Sequence, residues 1–476
     1  YIHNIFYLFL VLLSETCFAQ DQIQISHHDS LRNVRLGEVV VTAIQSDSPD
    51  TRSIIGQDAI RHIQVTDLSG LTQLLPGVLT RNPDLNTPAA FTIRSISYSD
   101  PTNAFGVAVL VDGLRMNNNS NLQQATLGGI GKLYNSSALT GFDVRSIAPS
   151  SIESVEVIRG VPSVRYGDVA SGVVLVKSKA GIQPYMAGIR FTATEKLFSI
   201  GKGIGIGTSG GTFYWGADYA LSAQDARQPE QTFRRIGIQA SYAKDFTSAT
   251  FRMNLRGYHM QDKNEKGANM LDGEYQKAIN QGFSFLLNGQ LNLKKSWMTS
   301  LEYEVGMTYG YQKNQSNVYN SGTQQVTTYE LQSGEHAGYF LSPNYFSYLS
   351  VEGKPFSADV SLIASLRRSI YNQVYNHFSL GVRVGTEGNR GEGVYFDPLA
   401  PPVELIGGRT RSYSDIPFVW NYTAFAENKA VFPIGGMRTE LQMGIRFNYL
   451  QTKSLHYAPT IEPRANIRQR LWEQQE

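Results

Sequence analysis

The sequence predicts a mainly β fold in which a small N-terminal α+β domain precedes a large antiparallel transmembrane β-barrel. Charged residues make up 17% of the 476 residues, hydrophobic residues only 41%, and aromatic residues 11%. Soluble globular chains carry about 25% charged residues. From about residue 185 onward, apolar and polar residues alternate, as in strands with one face toward lipid. After residue 13 there is no run of the roughly 18 apolar residues that a membrane helix needs.

The N-terminus has the features of an export signal. Residues 5–13 (IFYLFLVLL) form an apolar run that is too short to span a bilayer, and Cys17, Phe18 and Ala19 precede Gln20 with the spacing of a signal-peptidase site. We therefore predict a signal peptide over residues 1–19. A lipoprotein site at Cys17 is the alternative, but Ser14 stands where such sites place an apolar residue. Removal of residues 1–19 leaves no cysteine, so no disulfide framework is expected.

The next two segments are a polar leader, residues 20–42, and a first domain, residues 43–180. Leu68, Leu71, Leu74 and Leu75 recur at helical spacing, with Asp67 as the N-cap, and Pro76-Gly77 would end the helix. Strands are predicted over residues 91–96, 107–111, 155–158 and 173–176. Segments rich in Asn, Ser, Gly and Pro between these elements predict loops.

Four segments, in this order, resemble the TonB-dependent outer-membrane receptors. Residues 36–42 (LGEVVVT) resemble the box that TonB binds, and residues 68–78 (LSGLTQLLPGV) resemble the first plug helix. Residues 107–115 (VAVLVDGLR) resemble the central plug strand, and residues 151–181 (SIESVEVIRGVPSVRYGDVASGVVLVKSKAG) resemble the end of the plug. The resemblance implies that residues 43–180 form a plug inside the barrel.

The resemblance also implies three groups of functional residues. The TonB-binding segment would be Leu36, Gly37, Glu38, Val39, Val40, Val41 and Thr42. A latch between plug and barrel would comprise Arg94, Glu153, Glu156 and Arg159 of the plug with Glu302 and Glu304 of the barrel, and Arg94 or Arg159 is expected to bond to one of these glutamates. Plug loops near Asn82, Asp84, Tyr98 and Asn118 are candidates for ligand contact.

The alternation predicts which barrel side chains face lipid. The predicted outward set is Leu301, Tyr303, Val305, Met443 and Ile445, and the predicted inward set is Glu302, Glu304, Arg438, Glu440 and Arg446. Counting such runs predicts about thirteen strands before the last residue. Barrels with a plugged lumen use about 22 strands. We therefore expect residues 181–476 to be an incomplete barrel and the sequence to be truncated at both ends.

Enzymatic and cofactor sites are not indicated. Gly201, Gly203, Gly205 and Gly207 predict a strand whose bare face lets the plug approach, since no Lys-Ser/Thr pair follows as in a phosphate loop. His336 and His377 were weighed as haem ligands, but lone histidines more often have neither role. No catalytic constellation, metal site or cofactor is expected. A net charge of +2 argues against nucleic-acid binding.

The resemblance implies active transport across the outer membrane, with TonB, the bilayer and a small-molecule ligand as partners. An iron-siderophore complex is the expected ligand. Cobalamin, haem, oligosaccharide and peptide remain alternatives. From another class, a barrel enzyme or a receptor that binds without transport would fit the barrel, but the plug and the TonB-like box argue against them.

Overall fold

The computed structural model describes residues 44–45, 52–75, 85–93, 106–116, 118–122, 141–167, 169–223, 225, 227, 230–265, 271–321, 326–330, 332–371, 374–405, 409–435 and 437–469. The plug contains six strands, one α-helix and three 3₁₀ helices. The strands are β1 (Ile44–Gln45), β2 (Arg52–Gly56), β3 (Val107–Val111), β4 (Leu114–Arg115), β5 (Ile152–Ile158) and β6 (Gly172–Ser178). The helices are α1 (Gln57–Ile63) and the 3₁₀ helices Leu68–Leu74, Val144–Ser146 and Pro149–Ser151.

The plug strands form one sheet in the order β1-β2-β5-β6-β3-β4. Strands β3 and β6 pair in parallel, and the other pairs are antiparallel. The plug core lies between this sheet and the helices, and it buries Ile55, Leu71, Val155 and Val174 completely. The sheet therefore has its own apolar core, distinct from its contacts with the barrel wall.

The structure corrects two predicted plug elements. The leucine-rich segment is a 3₁₀ helix, Leu68–Leu74, and the Asp67 carboxylate caps it by accepting from the Gly70 amide at 3.2 Å. Of the strand predicted over residues 91–96, the described residues 91–93 are not in a strand, although Phe91 and Ile93 are buried in the core. Within the described residues, no helix has both the length and the apolar character required to cross a membrane.

The second sheet is large and contains fourteen strands among the described residues. They are β7 (Gln183–Phe191), β8 (Glu195–Gly205), β9 (Thr212–Ala223), β10 (Gln231–Asp245), β11 (Ala249–Glu265), β12 (Tyr275–Asn292), β13 (Ser300–Ser321), β16 (Asn344–Gly353), β17 (Pro355–Tyr371), β18 (Val374–Asn389), β19 (Gly393–Phe396), β20 (Val419–Ile434), β21 (Met437–Gln451) and β22 (Thr460–Gln469). Short strands β14 (Val326–Thr327) and β15 (Tyr339–Phe340) pair only with each other. Short 3₁₀ helices span Val403–Leu405 and Tyr413–Asp415.

Sequential strands of the large sheet pair antiparallel, in the order β22-β21-β20-β18-β17-β13-β12-β11-β10-β9-β8-β7. Strand β13 is long enough to pair with β17 along its first half and with β16 along its second half. Strand β16 in turn pairs with β19, so the wall continues beyond the end of β17. The number of strands is close to the sequence prediction.

The connections differ at the two ends of this sheet. At one end they are short, at residues 206–211, 246–248, 293–299, 372–373 and 435–436. At the other end they are generally longer and include residues 322–343 and 390–418. Outer-membrane barrels have short periplasmic turns and longer extracellular loops. We therefore identify the second end as the extracellular end.

The predicted alternation of side chains is confirmed. Glu302 and Arg446 bond to the plug, so they face inward. Val305, Met443 and Ile445 are exposed on the opposite face. Because successive side chains of a strand point to opposite faces, the register of the strands matches the predicted one.

Candidate functional site: the interface between plug and barrel wall

A buried ionic cluster joins the plug to β11. Arg145 is 0% exposed, and its guanidinium contacts the Asp143 carboxylate of the plug at 2.9 Å and the Asp262 carboxylate of β11 at 3.1 Å. It also donates to the Leu85 carbonyl at 2.8 Å and lies 4.7 Å from the centre of the Phe233 ring. Burial alone would lower the pKa of Arg145, but the two carboxylates raise it above its ordinary value. The arginine therefore stays charged.

A second arginine extends this cluster into the barrel wall. Arg235 of β10 donates to the Arg145 carbonyl at 2.7 Å and to the Asp218 carboxylate of β9 at 2.9 Å. Three neighbouring strands, β9, β10 and β11, thus supply charged groups to one plug segment. None of these residues was identified from the sequence.

The plug loop of residues 160–167 is held by the opposite part of the sheet. The Glu427 carboxylate of β20 accepts from the Ser163 hydroxyl and from the Val164 amide, each at 2.9 Å. Arg446 of β21 donates to the Val164 carbonyl at 3.1 Å. Arg464 of β22 donates to the Ser163 carbonyl at 3.0 Å. Because β9–β11 and β20–β22 both reach the plug, the large sheet curves around it.

Close packing accompanies these bonds at Gly167. A Cβ atom at this position would lie 2.4 Å from the Arg446 guanidinium. A side chain there would therefore displace an arginine that holds two carbonyls of the loop, those of Val164 and Arg165.

The predicted latch is found in part, with a different plug arginine. Glu302 forms an ion pair with Arg165 of the plug at 2.9 Å, and 43% of the Arg165 side chain is exposed. Glu304 lies in the wall, where Arg383 is 3.7 Å away. Arg94 lies outside the described residues. A bond from Arg159 therefore cannot be called the contact to Glu302.

The other predicted latch residues make their described bonds inside the plug. Arg159 donates to the Ser53 hydroxyl at 3.0 Å, Glu153 pairs with Lys177 at 3.0 Å, and Glu156 pairs with Arg52. These bonds connect neighbouring plug strands. A role of Glu153, Glu156 and Arg159 in holding the barrel stays a prediction.

One of the predicted ligand-contact residues is described. Asn118 donates to the Gly141 carbonyl at 2.7 Å and accepts from the Asn121 side chain at 3.2 Å. Close to it, the Ser120 carbonyl accepts from Asn389, at the extracellular end of β18, at 2.9 Å. This plug loop therefore lies toward the outside. Asn82, Asp84 and Tyr98 lie outside the described residues.

A polar cavity of about 490 Å³ separates the plug from β7–β11. Four inward glycines from successive strands leave this space: Gly188, Gly201, Gly216 and Gly237. Lys179 lines the cavity and donates to the Ser150 carbonyl at 2.6 Å. Burial, together with nearby Arg61, lowers the pKa of Lys179 to about 8.

The predicted glycine face of β8 makes one close backbone contact. A Cβ atom at Gly203 would lie 1.9 Å from the Gly181 carbonyl, in the connection from the plug to β7. Gly207 has nothing within 4 Å of such an atom. The bare face is therefore required at Gly203, where the chain enters the barrel.

The two histidines weighed as haem ligands have ordinary polar neighbours. His336 is exposed and its Nε2 lies 2.9 Å from the Gln332 carbonyl. His377 lies 3.4 Å from the Ser379 hydroxyl. Over the part of the chain that the structure describes, no three His, Cys, Asp or Glu residues are grouped so that they could hold a metal ion.

The TonB-like segment, residues 36–42, lies outside the described residues. Strand β1 begins two residues later, at Ile44, and is an edge strand of the plug sheet. It pairs over only two residues with β2.

Comparison with known proteins gives one family match and a set of similar structures. Residues 44–174 match the TonB-dependent Receptor Plug Domain family. No curated protein sequence matches the chain. The siderophore receptor PirA from Acinetobacter baumannii is 16% identical, with a TM-score of 0.54 over 89% of this chain and 59% of PirA.

Two further structures are similar. A mutant of the ferric enterobactin receptor PfeA from Pseudomonas aeruginosa, in complex with enterobactin, is 16% identical with a TM-score of 0.53, over 89% of this chain and 60% of PfeA. The unliganded ferric citrate transporter FecA is 14% identical with a TM-score of 0.56, over 90% of this chain and 62% of FecA. The chain thus spans about three fifths of the length of these proteins, which are receptors and transporters and not enzymes. The plug match and the shared fold together identify the chain as a member of the TonB-dependent receptors of the bacterial outer membrane.

Proposed function

We propose that this receptor carries a scarce small molecule, a ferric siderophore, across the outer membrane by TonB-dependent active transport. The observation that carries the proposal is the plug domain held against the barrel wall by charged and polar bonds. Polar groups can exchange these bonds for water when a plug shifts, whereas an apolar core has no such replacement. A siderophore as the ligand is supported by the ligands in the names of PirA, PfeA and FecA.

The bonds between plug and wall explain why such a transporter would need external work. Breaking a buried ion pair by separating its partners costs about 3 to 5 kcal/mol. The Arg145 cluster is one such contact, and the bonds to residues 160–167 add to it. Spontaneous displacement of the whole plug would therefore be rare. A ligand bound outside would pass only when force is applied from the periplasm.

Residues 36–42 are proposed to receive that force. They would bind TonB as an added strand, through main-chain hydrogen bonds. Tension on this segment would reach the plug at β1, an edge strand with a two-residue pairing, and then at β2. Pulling at an edge strand breaks its hydrogen bonds one pair after another. The plug could thus yield from one side while β5 and β6 remain in place.

The proposed organisation of the protein follows the sequence prediction. Residues 1–19 would be a signal peptide, residues 20–42 a periplasmic leader, residues 43–180 the plug and residues 181–476 barrel. Neither a catalytic residue nor a cofactor has a part in this proposal.

The test combines a ligand screen with one pair of variants in the full-length receptor. Deletion of the gene should abolish growth on one ferric siderophore as the iron source, and the receptor should bind that siderophore. Val40→Pro removes a backbone donor and should abolish uptake while binding at the outer face persists. Val40→Ala keeps the main-chain bonds and should retain most uptake.

Three outcomes would contradict the proposal. Normal uptake by Val40→Pro would exclude residues 36–42 as the TonB-binding segment. Loss of binding together with uptake would mean that these valines belong to the plug sheet. Growth that depends on the receptor only with cobalamin, haem, oligosaccharide or peptide would replace the siderophore as the ligand.

A further inference from the structure

The outer face of β10–β13 carries an ordered set of side chains that transport does not use. Residues paired across antiparallel strands share a face, so outward side chains form rows across these four strands. Outward residues are recognised on β10, where Phe233 and Arg235 are buried against the plug while Ile238 is 61% exposed. From mid-sheet toward the extracellular end, the rows are Ile238, Gly257, Phe283, Tyr309; then Ile236, His259, Gln281, Tyr311; then Arg234, Gln261, Ile279, Lys313; and then Thr232, Lys263, Lys277, Gln315.

The two lower rows form an apolar groove. Gly257 has no side chain, which leaves a gap between Ile238 and Phe283, and Phe283 is 42% exposed. The resulting cavity has a volume of about 400 Å³ and is bounded on the far side by Tyr309 and Tyr311. Side chains on the outer face at this height meet the hydrocarbon part of the bilayer. The occupant of the groove must therefore be apolar and present within the membrane.

The two upper rows are basic. Arg234 is exposed, and Lys263 and Lys277 are partly exposed. A cavity of about 250 Å³ lies among the side chains of these three residues. Glu265 pairs with Lys263 at 2.6 Å and with Lys277 at 2.5 Å, so three cations surround one carboxylate. The patch keeps an excess of positive charge.

The spacing of the rows places the charges where a lipid headgroup lies. Residues two positions apart on a strand are about 7 Å apart. The Arg234 row therefore lies about 7 Å beyond the row of His259 and Tyr311, and the Lys263 row lies about 14 Å beyond it. Both rows lie toward the extracellular end, because β10 begins there. A groove for an acyl chain thus ends at a set of phosphate-binding cations.

We propose that this surface is a binding site for a phosphorylated lipid of the outer leaflet. One acyl chain lies over Gly257, between Ile238 and Phe283. The lipid phosphate lies among Arg234, Lys263 and Lys277, which offer guanidinium and ammonium donors. The groove favours a lipid over a soluble anion, because free phosphate would leave the apolar gap exposed. The site lies on the lipid side of the wall, opposite the Asp262 contact with the plug.

The test measures retention of lipid A by the purified full-length receptor, using mass spectrometry under native conditions. The charge variant is Arg234→Gln/Lys263→Gln/Lys277→Gln. Each cation near an anionic lipid surface contributes roughly a fivefold factor, so the triple variant should retain lipid A about 100-fold more weakly. The matched control is Lys453→Gln, an exposed lysine in the extracellular connection between β21 and β22, and it should bind as the wild type does.

A second variant tests the groove without changing charge. Gly257→Leu would fill the gap, and its Cβ would lie 3.2 Å from the Ile238 Cγ1, a contact that the exposed isoleucine can relieve. This variant should lose roughly tenfold in retention, about the contribution of two buried methylene groups. Resistance of the barrel to unfolding in cold detergent shows whether either variant has folded.

Several results would overturn the proposal. Equal retention by the triple variant and by Lys453→Gln would exclude the cations. Equal retention of dephosphorylated lipid A by the wild type would exclude the phosphate. Displacement of lipid A by millimolar inorganic phosphate, or unchanged retention by a folded Gly257→Leu protein, would exclude the acyl groove.

Discussion

Replacement of Arg145 by methionine should loosen the plug where it meets β9–β11. Methionine is similar in length and occupies the same space beside Phe233, so the change removes the charge and the fork of donors. Asp143 and Asp262 would then lose the guanidinium that lies between them. Because both carboxylates are buried, water cannot readily take its place.

The expected magnitude follows from burial. Arg145 is fully enclosed and bonds to two carboxylates and one carbonyl, so we expect a loss of about 3 to 5 kcal/mol in the free energy that holds this part of the plug. Arg165 offers a matched control, since it is also a plug arginine paired with a barrel carboxylate. Its side chain is 43% exposed, so Arg165→Met should cost less than about 1 kcal/mol.

Hydrogen exchange of the β5 and β6 amides in the full-length receptor measures this difference, since local opening sets their exchange rates. With 1.4 kcal/mol for each factor of ten, Arg145→Met should accelerate exchange at least about 100-fold, and Arg165→Met about fivefold or less. Exchange in Arg145→Met within threefold of the wild type would refute the argument. Equal acceleration in both variants would show that burial does not decide the strength of these contacts.

Three further predictions concern the plug and the wall. The pKa of Lys179 is lowered by burial to about 8 from 10.5, so the unfolded chain binds more protons between these pH values; plug stability should rise from pH 8 to 10.5, and Lys179→Met should remove this rise in urea titrations. Gly203→Ala should destabilise the first hairpin by about 1 to 3 kcal/mol through its clash with Gly181, whereas Gly56→Ala meets no atom within 4 Å, and equal melting temperatures would contradict this. Ile445→Lys on the lipid face should cost about 2 to 4 kcal/mol in folding into lipid vesicles, and an unchanged folding equilibrium would show that the residue does not face lipid.

The facing of the barrel strands could be predicted from the sequence because lipid and lumen impose opposite polarity on alternate positions. Glu302, Ile445 and Arg446 face as the alternation indicated. The plug helix was predicted at the right place but with the wrong geometry. Leu68, Leu71 and Leu74 recur every three residues, which is the period of a 3₁₀ helix, whereas an α-helix repeats every 3.6 residues. A strict spacing of three was the signal that could have distinguished the two.

The contacts between plug and wall could not be predicted in the same way. Arg145 and Asp262 are 117 positions apart and meet only after both sheets have formed. Arg446 and Arg464 bond to carbonyl groups of residues 163–166, and every residue has a carbonyl, so no sequence pattern marks these acceptors. The one available signal was local: Asp143 stands two positions before Arg145, as expected when a carboxylate orients a neighbouring guanidinium.

Strand β11 shows how one register controls both sides of the wall. Asp262 faces inward and bonds to Arg145, while the next residue, Lys263, faces outward toward the proposed lipid phosphate. A shift of one residue would exchange the two side chains, because neighbouring positions on a strand point to opposite faces. It would place a lysine against the buried Arg145 and a carboxylate in the basic patch on the outer face. Insertion of one residue near the start of β11, for example after Phe251, should therefore weaken both plug retention and lipid binding, although neither site is touched directly. Loss of only one of the two would show that a bulge absorbs the insertion before it reaches Asp262.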